Sequence, residues 1–294
     1  MANITAKEVQ ALRERTGVGM MDCKRALVET DGDMEKAVVL LREKGMAKAD
    51  KKASRIAAEG VIAIYQNNGV TVLCEVNAET DFVAKNEKFQ TFADNIASVV
   101  ANENPKDVET LMNCKYPGED ITIEDKRKEM VMVIGENMNV RRFARIEGNV
   151  YTYSHGNGRI GVAVKFDAPA DECGKNVCMQ VASMNPKYVR ESDVPAEVLD
   201  QEKEIIKVQI KNDPKNASKP DAIIEKMVAG KMGKFYTENC LENQEYFIDD
   251  TLTVAKYVAS CGDAKIVEFI RFERGEGMEK REDNFAEEVA SMMK

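Results

Sequence analysis

The residues of this chain that could make or break a covalent bond are few, and none has the company it would need. His155 is the single histidine in 294 residues. A nucleophile–histidine pair would have to use it, and no Gly-x-Ser-x-Gly segment supplies a partner. The seven cysteines, Cys23, Cys74, Cys114, Cys173, Cys178, Cys240 and Cys261, are odd in number and scattered, with no Cys-x-x-Cys. That pattern suits thiols used as small apolar side chains in a reducing compartment rather than a zinc site. Carboxylates are plentiful, but none stands with a recognisable nucleophile or ligand set. No catalytic residue, cofactor or metal is expected.

What remains is the chemistry of docking. In Gly17-Val18-Gly19-Met20-Met21, two glycines bend the chain beside two adjacent methionines. Methionine is a plastic residue suited to a partner surface. The pattern fits equally well a pair that fills a small core. In Thr80-Asp81-Phe82-Val83-Ala84-Lys85-Asn86, a large apolar group sits on a stretch that should be an exposed loop at a hairpin tip. On pattern alone Phe82 folds back over the next helix and covers Phe89. Asp81 is a negative group beside it, or simply a polar loop residue.

The elements that hold these segments can be read from their periodicity. Thr5 and Glu8 form a capping box, with Ile4 and Val9 placed for a hydrophobic staple, and the helix they start ends at Gly17. A second helix should run from Asp22 to Glu29. A third, capped by Asp33, should run to Gly45. The basic stretch Lys48–Arg55 reads as a solvated connection. Gly60–Gln66 and Val70–Asn77 read as strands around an Asn67-Asn68-Gly69 turn. A long amphipathic helix through Phe89, Phe92, Ile96 and Val100 follows, capped by Asn86.

The same order returns in Gly148–Ser154, Arg159–Phe166 and a helical Asp171–Ser183. A duplicated hairpin-plus-helix core is inferred, α+β in class, with helices on one face of each sheet. Helix Ile123–Met138 and strand Val140–Glu147 lie between the copies. Ala196–Asn212 and Asp221–Met232 pair as a helical hairpin, with Leu199, Ile205, Ile206 and Ile210 facing Ile223, Ile224, Met227 and Val228. Ile266–Phe272 reads as a strand and Asp283–Met293 as a closing helix.

The expected division is a three-helix N-terminal domain at 1–46, a basic linker at 47–57, and core subdomains at 58–147 and 148–276. The hairpin falls at about 196–233 and a C-terminal module at 277–294. Net charge is −9 and the pI about 5.1, with no tryptophan and 6% aromatic residues. That balance leaves little surface for gripping phosphates or stacking bases, so direct nucleic-acid binding is not expected. No apolar run approaches the eighteen or so residues of a membrane span, and the start lacks a secretory pattern. No membrane association and a cytoplasmic location are expected.

Several stretches are distinctive when taken together: Leu12–Gly17 continuing through Met20-Met21-Asp22-Cys23-Lys24, Thr80–Asn86, Gly135–Arg142, Glu225–Val228, Phe269–Phe272, Gly275–Gly277 and Phe285–Val289. In these stretches, which occur in family order from end to end, the chain resembles the elongation factor Ts family. The resemblance implies an exchange factor, not an enzyme, that binds elongation factor Tu in its GDP-bound and nucleotide-free states and promotes GDP release. It implies a UBA-like N-terminal domain that grips the GTPase domain together with the C-terminal module, and a coiled-coil helical hairpin. The second core subdomain would touch a β-barrel domain of the partner.

On this resemblance Thr80, Asp81, Phe82 and Val83 form a loop that enters beside the partner's magnesium site. Phe82 is its wedge, Asp81 disturbs the hydrogen bonds that hold the metal, and Thr80 and Val83 shape it. Met20, Met21, Lys85, Asn86 and Gln180 become partner contacts. Asn176 and Gln180 stand where some members carry histidine, and His155 lies in a His-Gly turn of structural or surface character. The competing readings are a protein-binding adaptor with a ubiquitin-binding type of domain and an RNA-binding translation protein.

Overall fold

The computed structural model describes residues 4–214, 216 and 219–279. The closing helix expected at Asp283–Met293, with Phe285–Val289, lies outside the described residues, as does the 277–294 module beyond Glu279.

Helix α1 (Ala6–Thr16) opens on the expected box. Thr5 Oγ1 accepts the Glu8 N–H, and the Glu8 carboxylate accepts the Thr5 N–H at 2.7 Å. Helix α2 (Met20–Glu29) starts before Asp22, so Met20 and Met21 occupy its first turn and not a loop. Helix α3 (Met34–Lys52) starts after Asp33 but does not stop at Gly45. A Cβ on Gly45 would stand 2.9 Å from Met132 Sδ. This glycine therefore serves a close packing contact rather than a helix end. The predicted linker is helical as far as Lys52. Val9, Leu12, Cys23, Leu27 and Leu41 make the small core of these three helices, and Met132 and Val133 pack against it from outside.

Strands β1 (Glu59–Asn67) and β2 (Val70–Ala78) form the first hairpin. Asn68 and Gly69 have φ of 48° and 76°, the left-handed pair that a tight hairpin turn needs. After β2 come the single turn α4 (Asp81–Ala84), α5 (Glu87–Glu103), α6 (Val108–Met112), α7 (Ile123–Ile134) and β3 (Met138–Glu147). Strand β3 completes an antiparallel sheet of order β1-β2-β3. The copy follows as β4 (Asn149–His155), β5 (Ile160–Phe166) and α8 (Gly174–Met184). Then come α9 (Ala196–Asn212), α10 (Asp221–Asn239), the short pair β6 (Glu245–Tyr246) and β7 (Asp249–Thr253), α11 (Val254–Cys261) and β8 (Ile266–Glu273). Strand β8 pairs with β5, giving the order β4-β5-β8. The class is α+β, as expected.

Strand alternation explains how the two sheets meet. On β2, Val72, Cys74 and Val76 face α5, where Phe89, Phe92, Ile96 and Val100 are buried. The intervening Leu73 faces the other way and packs with Ile62, Ile146 and Ala163 between the two sheets. Val162, Val164 and Phe166 of β5 likewise face Val177, Cys178 and Val181 of α8. Each copy thus has helix on one face of its sheet and the other copy's sheet on the opposite face. The approach is close. A Cβ on Gly161 would meet Ile62 Cγ2 at 2.4 Å, and the Ile62 N–H donates to Gly158 O at 2.7 Å.

Helices α9 and α10 bury Ile206, Ile210, Ile224, Val228 and Met232 between them. Ile205 and Ile223, expected in the same seam, are 50% and 46% exposed. Neighbouring residues on a helix point about 100° apart, so a seam between only two helices accepts one of each pair.

Candidate functional site

The segment Thr80–Asn86 lies at the end of β2 remote from the Asn67–Gly69 turn, at the base of the hairpin and not at its tip. Thr80 caps α4, its Oγ1 accepting the Val83 N–H at 3.4 Å. The turn closes with Ala84 N–H to Thr80 O at 3.3 Å and Lys85 N–H to Asp81 O at 3.2 Å. Val83 and Ala84 are buried and root it in the core of the first copy. Asn86 then caps α5, its Oδ1 accepting the Lys88 N–H at 2.9 Å.

Phe82 is 80% exposed while Phe89 is fully buried. Phe82 therefore does not fold back over the helix to cover Phe89. A turn rooted by Val83 and Ala84 points its second residue outward. Beside it, Asp81 Oδ2 pairs with Lys85 Nζ at 2.6 Å, one helical turn on. The Lys85 ammonium holds the Asp81 carboxyl below its usual range.

The base of this turn is held by residues that sequence reasoning did not assign. Thr80 Oγ1 donates to Glu136 Oε1 at 2.7 Å, and the Thr80 N–H donates to Glu136 Oε2 at 3.0 Å. The neighbours of Glu136 reach the end of α3. Lys52 Nζ donates to Gly135 O. Asn137 Nδ2 donates to Arg55 O at 2.9 Å and Ala53 O at 3.3 Å. Its N–H donates to Glu79 Oε1 at 2.6 Å. Gly135-Glu136-Asn137 is thus a junction between the long third helix and the Phe82 turn. Its local signal is weak: an acid and an amide just after a helix-ending glycine, with partners more than fifty residues away in sequence.

Met20 and Met21 are 49% and 63% exposed on the first turn of α2. The small core is closed without them. Gln180 stands differently. It is fully buried, where Nε2 donates to Glu245 O at 3.0 Å and to Gln244 Oε1 at 3.2 Å, and Oε1 accepts the Phe247 N–H at 2.9 Å. With every donor and acceptor directed inward, it cannot be a direct contact, and it fixes the 244–247 turn from within. Phe247 and Ile248, next to that turn, are 44% and 60% exposed. Asn176 donates to Tyr257 OH at 2.6 Å. His155 is exposed, with Nδ1 3.1 Å from Tyr153 OH.

Among the described residues no group of three or more His, Cys, Asp or Glu side chains is arranged to hold a metal ion, and no helix is long and apolar enough to cross a membrane. Burial pushes the Cys74 and Cys178 thiols up to about 12, which suits thiols that only pack.

The sequence model of elongation factor TS matches residues 79–276. An elongation factor Ts from Clostridium perfringens (strain 13 / Type A) is 48% identical over 98% of this chain and 99% of its own length. This chain belongs to the elongation factor Ts family. The elongation factor Ts of Clostridioides difficile (strain 630) is 47% identical over the full length of both chains. That of Syntrophotalea carbinolica is 44% identical over 99% of each. The family match begins at Glu79, which accepts the Asn137 N–H, and so covers the Phe82 turn, its Gly135–Asn137 junction and the whole second copy of the core, while β1 and β2 of the first copy precede it. Elongation factor Ts proteins serve protein biosynthesis.

Proposed function

We propose that this chain is a guanine-nucleotide exchange factor for elongation factor Tu. It binds the GDP-bound GTPase, disturbs the site that holds magnesium and phosphate, and leaves a nucleotide-free complex to which GTP returns. The observation that carries this reading is Phe82, an aromatic side chain 80% exposed on a short turn whose base is rigidly held. Phe82 is the most exposed of the large apolar side chains among the described residues, and its turn is held in place and does not fold back. Family membership supplies the partner.

On this reading Phe82 wedges between elements of the GTPase beside its nucleotide. Asp81 and Lys85 enter as a pair, and Asp81 exchanges its lysine for groups around the metal. Met20 and Met21 dock on the GTPase domain from a UBA-like three-helix unit, and Asn86 lies at the rim of the same contact. The α9–α10 pair is a coiled-coil arm. The parts divide as a three-helix unit at 1–46, a linker at 47–57, core copies at 58–147 and 148–276, and a module at 277–294, the linker beginning as a continuation of α3. The cytoplasm is where such a factor works.

No covalent chemistry is needed. If this protein prefers the empty GTPase, linkage requires that GDP and this protein weaken each other's binding by the same factor. Each ~1.4 kcal/mol of that coupling is worth about tenfold in affinity.

The test is release of a fluorescent GDP from purified elongation factor Tu. The unaltered chain should accelerate release strongly. Phe82→Ala should lose most of that acceleration while still forming a complex on gel filtration. If the unaltered chain leaves the release rate unchanged, the exchange reading is wrong.

A further inference from the structure

We infer that Glu136 is the positioning residue of the Phe82 turn, and that the Gly135–Asn137 junction joins that turn to the end of α3 as one unit. The functional side of this inference rests on the exchange reading above; its structural side does not.

The turn has little of its own to keep it formed. It is four residues long, and an isolated helical turn fixes several dihedrals for very few hydrogen bonds. Phe82 adds no packing because it points into solvent. Val83 and Ala84 anchor the far side. On the near side, one carboxylate takes both the N–H and the O–H of Thr80. That fork fixes the Thr80 side chain and leaves its oxygen free to accept the Val83 N–H. Hydrogen bonds to a charged acceptor are the stronger kind. Glu136 thus sets the direction in which Asp81 and Phe82 leave the core, without touching either of them.

The residues flanking Glu136 extend the same rigidity to the helical unit. Lys52, Ala53 and Arg55 at the end of α3 all contact Gly135 or Asn137. Glu79, next to Thr80, also bonds Asn137 and lies 3.5 Å from Arg55. A wedge works by arriving in the right geometry, and a preformed turn avoids the ordering loss that a mobile one meets on binding. Removing Glu136 should therefore leave the protein folded and able to dock, but with a turn that must order itself at the moment of exchange.

Two readouts test this. In the free protein, Glu136→Gln should raise amide hydrogen exchange at Val83, Ala84 and Lys85 by about tenfold, the scale of one lost charge-assisted hydrogen bond. Exchange in α5 should not move. In GDP release, Glu136→Gln should lower the maximal rate by about tenfold and leave the half-saturating concentration nearly unchanged. Thr80→Val, which removes the hydroxyl from the other side, should reproduce both effects. Combined with Asp81→Ala and Phe82→Ala together, Glu136→Gln should add no further loss, because it acts through those two side chains. Unchanged protection of the 83–85 amides would overturn the positioning role whether or not the chain proves to be an exchange factor. An equal additional loss in the background lacking both the Asp81 and Phe82 side chains, or a raised half-saturating concentration with an unchanged maximal rate, would overturn it as well. Failure of the exchange reading itself would show differently, as no acceleration by the unaltered chain.

Discussion

The Oε2 of Glu75 lies 2.6 Å from the Nε of Arg142, on a side chain with no exposed surface. A β-bulge makes the arrangement possible. Glu75 is opposite Arg142 and Val76 opposite Val140, so Arg141 is the extra residue. Both arginines can then reach one carboxylate, Arg141 Nη1 at 3.0 Å. The Gly275 N–H at 2.8 Å and Asn77 Nδ2 at 3.1 Å complete its shell. Arg142 in turn lies over the Phe272 ring at 4.3 Å and bonds Glu273 O and Glu276. This buried carboxylate ties the first sheet to the strand that closes the second.

Burial raises the Glu75 pKa, but the Gly275 N–H, Asn77 and the two arginines outweigh it and leave the carboxyl below its usual range. A carboxyl lowered on folding contributes stability above its unfolded pKa and loses it as pH falls through the folded one. The unfolding temperature should therefore drop below the ordinary carboxylate range, and Glu75→Gln should flatten that drop. At neutral pH the same variant should be destabilised by roughly 3 kcal/mol, since both arginines lose the buried carboxylate they share and only Arg142 keeps another, Glu276. Calorimetry from neutral to acid pH measures both.

Met20→Ala with Met21→Ala should raise the concentration of this chain that half-saturates GDP release, about tenfold, with the maximal rate retained. Both side chains are already exposed, so unfolding should shift by no more than about 0.5 kcal/mol. A titration of release rate against concentration separates the two parameters.

Gly161→Ala should destabilise the core by about 1–3 kcal/mol in urea unfolding. Its new methyl would stand 2.4 Å from Ile62 Cγ2, and relief requires the two sheets to separate. Ile62→Ala, which removes that Cγ2, should cost less in the Gly161→Ala chain than in the unaltered one.

Gln180→Ala should act on stability first. It strands the Phe247 N–H and the Glu245 carbonyl, at about 1–3 kcal/mol for each buried group left unpaired. At temperatures where the variant remains folded, a surface contact would show as weakened complex formation with an unchanged unfolding temperature. An interior tie shows as the reverse.

The duplicated core was legible because its signals are local. Asn67-Asn68-Gly69 and Gly156-Asn157-Gly158 mark turns between runs of apolar strand residues, and Asn86 marks a helix start. Three readings failed, two because the deciding atoms are distant in sequence and one because the direction of a short turn is set by which of its neighbours pack inward. Gly45 looks like a helix end until Met132 is beside it. Gln180 looks like a polar surface residue until Phe247 and Glu245 enclose it. Phe82 looks like a residue that should fold back until Val83 and Ala84 are seen to take the inward positions. The Phe82 turn and the Gly135–Arg142 stretch were both found through a resemblance, but nothing in it tied Glu136 to Thr80, 56 residues away. Elements α6, β6, β7 and α11 went unread; β6 and α6 are very short, and the propensity of so few residues decides little.

The uninterrupted α3 bears on how the two proposed contacts would act together. The Met20–Met21 face and the Phe82 turn are joined by helix and by the Gly135–Asn137 junction, not by loose chain. When two contacts are linked, the second becomes intramolecular, at an effective concentration set by the tether, and a flexible tether dilutes it. Here the spacing is already set when the first contact forms. A partner held at the methionines would meet the phenyl ring at a concentration fixed by geometry and not by how much protein the cell contains.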